Sequence, residues 1–572
     1  MNIKRILLIE PQAAASHVYS LVRMPRLGLP LLGAQLKELG YQVNLLYGKS
    51  REIKVADLLQ NDLVGISTTT STCKEAYKIA SIVRNRGIPV VLGGVHATFM
   101  AEEALQYADY VCRGEADFTF AQLLECLNRG EQPYQVPGVS FYDQEQNLIQ
   151  NPLPDWVDIT KSPVPDLTLF TNADQISTYP VLTSRGCPHR CTFCSVTQMF
   201  GHQYRCRSVQ QVLAELERYR GRNLFFCDDN FTANPIRTKT ILKEMIKQDL
   251  LPKWWGAQVR AEAAQDEELL SLMRQARCGT VYVGLESINP LTLQAFHKQQ
   301  DVADIRYCVE NFHKYGIKVH GMFVFGGDED SVATIRETVD FALETKIDTV
   351  QFMILVPLPG TPVYTQLDQE GRLLTKDWDF YDGHHVVFQP KQMSPWELQT
   401  ETINAFRRFY AIRNLPRNLF VTGFSSVVFR GIGYYLVRKW TKECGWYQQW
   451  LQNSVLQRPQ VARSFRIRNY VRMQIVQEGN GITVELQGYL SSLAWSKIVR
   501  VIKANLIQHR LITVNAANLN FPSEQVVKNF VHTLNRWAET SRVQVRVPDL
   551  KLLVDVLERN NLTIPNFEYS VQ

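Results

Sequence analysis

The chain is 572 residues long, with 45% hydrophobic and 21% charged residues and a net charge of +6. That length exceeds what one hydrophobic core organises, and the balance is that of ordinary globular protein, which excludes low-complexity and fibrous classes. No window reaches the ~18 uncharged apolar residues of a membrane span, Arg430 and several glycines interrupting the nearest stretch, 419–437, and 11 mostly scattered cysteines argue against a disulfide framework. A soluble, cytoplasmic protein is expected.

The first residues, Met1 to Arg5, lead into the run Ile6-Leu7-Leu8-Ile9, too short for a signal-peptide core and suited to a first β-strand. To about residue 145 the pattern predicts strands at 6–10, 43–47, 63–67, 90–92 and 110–112, with helices at 29–39, 74–86 and 118–127. Short apolar strands alternating with helices imply an open parallel sheet of Rossmann type. Ligands of such sheets sit at the carboxyl ends of the strands. Those ends read Ser67-Thr68-Thr69-Thr70, Gly93-Gly94-Val95-His96 and Arg113-Gly114-Glu115. Small residues there let a bulky cofactor approach the backbone, and hydroxyls and free N–H groups can hold phosphate.

The run Gly93-Gly94-Val95-His96-Ala97-Thr98, with Glu102-Glu103, Ala108-Asp109 and Arg113-Gly114-Glu115 behind it, resembles the cobalamin-binding domain that precedes the catalytic barrel in a large radical S-adenosylmethionine (SAM) family. The resemblance implies cobalamin contacts from Ser67, Thr68, Thr69, Gly93, Gly94, His96, Gly114 and Glu115. The motif Asp-x-His-x-x-Gly, which gives cobalt a histidine in other cobalamin proteins, does not occur; cobalt without a protein histidine is the expectation.

Residues 146–180, with prolines at 152, 154, 163, 165 and 180, are expected to form an extended linker. A strand at 181–184 then enters Arg185-Gly186-Cys187-Pro188-His189-Arg190-Cys191-Thr192-Phe193-Cys194. Three thiolates at this spacing can each hold one iron of a cubane. Zinc normally takes four closed ligands, and no fourth stands at a regular spacing. The Cys-x3-Cys-x2-Cys run resembles the radical SAM signature. That implies a 4Fe–4S cluster on Cys187, Cys191 and Cys194 whose open iron chelates SAM, with Phe193 beside the adenine. One electron then yields a 5′-deoxyadenosyl radical.

Behind this loop, helices at 208–220, 236–248, 266–276, 302–315 and 331–345 alternate with strands at 223–227, 254–259, 279–286, 317–326 and 348–355. This predicts a partial (β/α)6 barrel over 181–395 with its site at the strand ends. Asp229, Arg260, Glu286, Ser287 and Gly326 fall there, and the resemblance makes them SAM contacts. Cysteines 73, 112, 126, 206, 227, 278, 308 and 444 lack ligand spacing and read as small buried residues.

A helical extension is expected over 396–460 and a small α/β domain over 461–572, with strands at 482–486, 511–515 and 543–547 and helices at 492–507, 523–540 and 550–559. That order resembles a STAS domain, with Ser523 a helix N-cap. From Trp396 to Gln572, 23 Lys and Arg stand against 11 Asp and Glu, an excess of 12. With Trp440, Trp446 and Trp450 near Arg438, Lys439 and Lys442, this tail suits peripheral contact with an anionic membrane.

The family resemblance implies an enzyme, with methylation of an unactivated carbon of a small-molecule, lipid or tetrapyrrole substrate as the leading expectation. Radical cyclisation or oxidation of the porphyrin-cyclase kind is the alternative. A regulatory protein sensing cobalamin or redox state is a third, disfavoured by the strand-end residues that a sensor has no use for. A flavodoxin or ferredoxin is the expected electron donor, and no nucleic-acid partner is expected.

Overall fold

A computed structural model describes residues 2–12, 24–48, 53–419 and 423–455, and beyond them the strands between 463 and 568 with residues 498, 499 and 533. The chain divides into two units, Met1–Gln448 and Gln449–Gln572.

The first unit begins with a seven-stranded sheet. Its strands are β1 (Arg5–Pro11), β2 (Gln42–Gly48), β3 (Leu63–Ser67), β4 (Val90–Gly93), β5 (Tyr110–Cys112), β6 (Val139–Tyr142) and β7 (Leu148–Gln150), in the order β2-β1-β3-β4-β5-β6-β7. The first five run parallel. Ile6 to Ile9 are all buried, as a strand covered on both faces requires. The last two are antiparallel, and β7 lies inside the expected linker. The Asp143 carboxylate accepts the N–H groups of Glu145 and Asn147, an Asx-type turn that folds 148–150 back onto β6. Further along, Phe170 bridges to Leu45 of β2, so this segment packs on the first sheet.

A second sheet follows, of β8 (Tyr179–Val181), β11 (Asn223–Phe226), β12 (Trp254–Val259), β13 (Cys278–Glu286), β14 (Lys318–Phe325) and β15 (Thr349–Ile354), paired in chain order and all parallel. The expected strand at 181–184 is divided: only its first residue stays in this sheet. Ser184–Arg185 (β9) pairs antiparallel with Arg205–Cys206 (β10). The crossover helices start where the sequence caps them. Ser208, Asn234, Asp266, Asp301 and Ser331 each accept an N–H from the first turn, satisfying donors that a helix start leaves open. Phe226, Phe231 and Trp255 interlock beneath the early strands, and Phe323, Phe352 and Phe406 beneath the late ones.

Helix Pro395–Phe409 and the long helix Phe424–Val455 as far as Gln448 complete the unit. Arg430, which interrupts an apolar stretch of sequence, is fully buried. Its guanidinium donates to the carbonyls of Asp348, Asn414 and Ile347 and lies 4.5 Å from the Phe409 ring centroid. Trp440, expected to be a surface anchor, is also buried, edge-on to Phe406. Among the described residues no helix is long and apolar enough to cross a membrane.

The second unit holds a six-stranded sheet: β16 (Arg463–Ile467), β17 (Val471–Glu478), β18 (Gly481–Tyr489), β19 (Leu511–Asn520), β20 (Val543–Arg546) and β21 (Phe567–Glu568). The first three are antiparallel and the rest parallel. Of the three expected helices of this region only residues 498, 499 and 533 are described, all helical; the remainder and Ser523 lie outside the described residues.

Candidate active site

The cysteine loop starts from a buried ion-pair network. Arg185, the last residue of β9, donates from Nη1 to Glu115 at 3.0 Å and to Asp117 at 2.8 Å. Arg205 of β10 reaches Glu115 at 2.7 and 3.1 Å. Asp228, fully buried, accepts from the Thr183 N–H and hydroxyl and from the Ser184 hydroxyl. Both ends of the strand break are therefore fixed before the first cysteine.

Cys187, Cys191 and Cys194 follow on one loop, all three free and partly exposed. Burial pushes the Cys187 thiol up and the Cys194 thiol up to about 12, and each feels Cys191 and Asp229. Thiols so placed are poor acids alone; a bound cation reverses that by taking up the thiolate charge. Three thiols on one loop beside a half-buried carboxyl fit a cluster held by three cysteines. Phe193 packs edge-on against Phe296 at 4.9 Å, and the Thr192 hydroxyl donates to the Ala295 carbonyl, so the loop rests on helix Pro290–Ala295.

Around it stand the strand-end residues. Burial, with Asp228 beside it, raises the Asp229 carboxyl to about 6. Arg260 directs Nε to Glu262 at 2.6 Å. Glu262 also faces His189 of the cysteine loop at 3.7 Å. Glu286 sits at φ 60°, an uncommon conformation for a non-glycine residue, next to a register shift in the β13–β14 pairing. Its partner is Lys298, 2.8 Å away and equally buried. A Cβ on Gly284 would stand 2.5 Å from Glu286 Oε1 and 2.9 Å from Lys298 Nζ, so glycine makes room for this pair. Ser287 is buried and accepts the Asn289 N–H. The N–H groups of Gly326 and Gly327 both donate to Asp330. Lys298 and Asp330 were not found from the sequence, because both lie on connections rather than at a strand end; Lys298 follows a helix by three residues, and nothing local marks its target.

Between the carboxyl edge of the first sheet and the mouth of the second lies a cavity of about 500 Å³. Ser67, Thr68, Thr69, Gly93, Gly94, Gly114 and Glu115 line it from one side, and Leu182, Ser195, Val196, Cys227 and Asp229 from the other. Gly94 has φ 90°, and a Cβ there would stand 2.5 Å from the Thr68 carbonyl oxygen. Only glycine allows this close approach of two backbones. Thr68 is committed inside the protein, its hydroxyl donating to Gly93 O and accepting the Ala97 N–H. Two expected contacts have other employment. His96 is not among the cavity-lining residues; its ring turns away to Thr70, Glu103 and Trp378. Glu115 touches the cavity, but its oxygens are taken by Arg185, Arg205 and the Val157 N–H. A small-residue cradle with backbone close to the void suits the planar face of a corrinoid, and among the described residues no histidine lines it.

Comparison with known proteins agrees with this geometry. The radical SAM superfamily matches residues 181–342 and the B12 binding domain matches residues 19–124. An uncharacterized methyltransferase of Pyrococcus horikoshii is 30% identical over 431 residues, covering 72% of this chain and 93% of that protein. A bacteriochlorophyllide d C-12(1)-methyltransferase of Chlorobaculum tepidum is 29% identical over 421 residues, 71% of this chain and 87% of that protein. The fold is similar to that of a radical SAM methyltransferase, TsrM, from Kitasatospora setae, solved with cobalamin and a 4Fe–4S cluster bound. The TM-score is 0.58 at 17% identity, covering 77% of this chain and 100% of that one. The chain belongs to the radical SAM superfamily, among members that carry a B12-binding domain, and works with a 4Fe–4S cluster, SAM and cobalamin.

Proposed function

We propose that this protein is a cobalamin-dependent methyltransferase acting on an unactivated carbon of a small, largely apolar molecule, lipid-like or tetrapyrrole. The observation that carries the reading is the shared cavity: one void is bounded both by the small-residue strand ends of the first sheet and by Cys227, Asp229 and the start of the helix after the cysteine loop. When bound, the cluster and SAM supply a hydrogen-abstracting radical and cobalamin supplies a methyl group. The residues supply position. Cys187, Cys191 and Cys194 hold the iron; Asp229, half-protonated near pH 6, offers an acceptor for an ammonium group; Arg260 offers its remaining donors to a carboxylate. The apolar lining from Leu8, Leu92 and Phe120 excludes water from the space where a carbon radical would live.

The deciding experiment is anaerobic reconstitution with cobalamin and methyl-labelled SAM in the presence of lipid and tetrapyrrole extracts. Methylation gives S-adenosylhomocysteine with 5′-deoxyadenosine and a labelled product. Deoxyadenosine with an unlabelled, oxidised or cyclised product would overturn the reading. The partly exposed cysteine loop supports delivery of the electron by a flavodoxin or ferredoxin.

A peripheral membrane contact is supported by part of the expected surface, Trp446 being exposed while Trp440 is buried, and by a further apolar stripe. On the long helix Phe424, Val428, Ile432 and Tyr435 recur at helical spacing with Phe429 beside them, and Phe424 and Tyr435 are 71% and 66% exposed. Lys318 lies 5.6 Å from the Phe429 ring, and Arg407, Arg413 and Arg438 border a neighbouring groove. An apolar stripe with a cationic rim is the pattern of an interfacial helix. Phe429→Glu should reduce cosedimentation with anionic vesicles at least tenfold; equal binding by variant and parent would dismiss this face.

A further inference from the structure

Outside the lining of the cavity, three side chains of metal-binding type converge. Cys73 opens helix Cys73–Arg84, His96 lies in the short helix Val95–Phe99 and Glu103 in Ala101–Leu105. Their ligand atoms lie within 4.8 Å of one another. Cys73 and His96 are buried. His96 Nε2 is 3.5 Å from Glu103 Oε1, too far for a good hydrogen bond. Both His96 Nε2 and the buried Tyr77 hydroxyl face the Glu103 carboxylate, neither within a hydrogen bond of normal geometry.

The hydrogen bonding around this group defines its electrostatics. His96 Nδ1 is 3.3 Å from the Thr70 hydroxyl, which can accept from it. With the proton on Nδ1, the lone pair of Nε2 points at Glu103. Trp378 Nε1 donates to both Glu103 oxygens at 2.9 and 3.1 Å, favouring the ionised carboxylate. The carboxylate and Nε2 need a positive charge between them, and either a proton on Nε2 or a metal ion in the gap supplies it. Lys74, the residue after Cys73, is engaged with Asp377 at 2.7 Å and Asp379 at 2.9 Å. Tetrahedral zinc, with bonds of about 2.0–2.3 Å, holds its ligand atoms roughly 3.3–3.8 Å apart. The His96–Glu103 spacing already meets that, and the Cys73 sulfur lies within 4.8 Å of both.

We propose that Cys73, His96 and Glu103 form a structural zinc site, separate from the cluster and from cobalt, with the Tyr77 hydroxyl or a water as the fourth ligand. Binding releases the Cys73 thiol proton to solvent, and the thiolate and carboxylate balance the two charges of the ion. The site would clip the helices behind the first sheet to the segment Trp378–Phe380 through the Glu103–Trp378 bond. It requires no oxidant or reductant.

The test is metal content and zinc X-ray absorption of the full-length chain, both as purified anaerobically and in the Cys187→Ala/Cys191→Ala/Cys194→Ala background, which removes adventitious zinc from the cluster loop. One zinc per chain is expected in both, with one sulfur in its coordination shell. Cys73→Ala should lower zinc below a tenth of an equivalent while the cluster absorbance of the parent background is kept. Chains that hold no stoichiometric zinc after zinc addition would overturn the proposal, and so would zinc that persists in Cys73→Ala. Should Cys73→Ala fail to fold, the sulfur count of the triple variant decides: one sulfur supports the site, and none or several overturn it.

Discussion

Glu115 allows a sharp test, because its sequence position suggests a cofactor contact and its surroundings make it a structural hub. It is 5% exposed and accepts from Arg185 Nη1 at 3.0 Å, from Arg205 Nη1 at 2.7 Å and Nη2 at 3.1 Å, and from the Val157 N–H at 3.1 Å. Removing one partner of a buried ion pair costs about 3–5 kcal/mol, since the other charge stays buried. Arg185 keeps Asp117 at 2.8 Å, and Arg205 keeps the Val157 and Phe200 carbonyls, so Glu115→Ala should fall near the lower end, about 3 kcal/mol. The assay is a double-mutant cycle of Glu115→Ala with Arg205→Ala, read by urea unfolding of the corrinoid-free chain. A coupling of about 2 kcal/mol is expected for neighbours sharing one network. Coupling near zero, with cobalamin affinity as the only property changed, would refute the structural assignment and restore Glu115 as a cofactor ligand.

The Glu286–Lys298 pair should behave similarly at the SAM end: Lys298→Met loses reductive SAM cleavage and about 3 kcal/mol of stability, and adding Glu286→Gln restores much of the stability, measured by thermal unfolding, but not the cleavage. Asp330 is raised by burial to about 6 from an ordinary 3.8. The folded state therefore binds its proton more tightly than the unfolded state, and stability falls as pH rises from about 4 to about 6, by roughly 3 kcal/mol from this group. Asp330→Asn should remove that part of the decline in unfolding curves taken at intervals across the window. Gly94→Ala, with its Cβ 2.5 Å from the Thr68 oxygen, should cut bound corrinoid at least tenfold, whereas Gly87→Ala, at φ 75° with nothing within 4 Å, should cost only the about 1–2 kcal/mol of left-handed backbone.

What the sequence by itself determined is the local and the periodic. Five of the barrel-side strands are set by short apolar runs, and their crossover helices by side-chain caps such as Asp266 and Asp301; such signals act within a few residues, so they can be read without the fold. The cysteine loop is equally local, because three ligands of one cluster lie within eight positions. The break at 181–184 escaped that reading because the fully buried Asp228, 44 and 45 positions away, draws Thr183 and Ser184 out of the strand. Tertiary structure alone decided which strand-end residues face the cavity. His96 and Gly94 are two positions apart in one motif, yet the glycine lines the void and the histidine points behind it, since a helix starting at Val95 turns successive side chains by about 100°. It also decided the partners of buried charge. Lys298 reaches Glu286 through the fold of the connection after β13, Arg205 meets Glu115 only where the two sheets pack, and Arg430 meets its three carbonyls only where the long helix docks. The cost of burying an unpaired ion is a constraint on the folded molecule that leaves no periodic trace in the sequence.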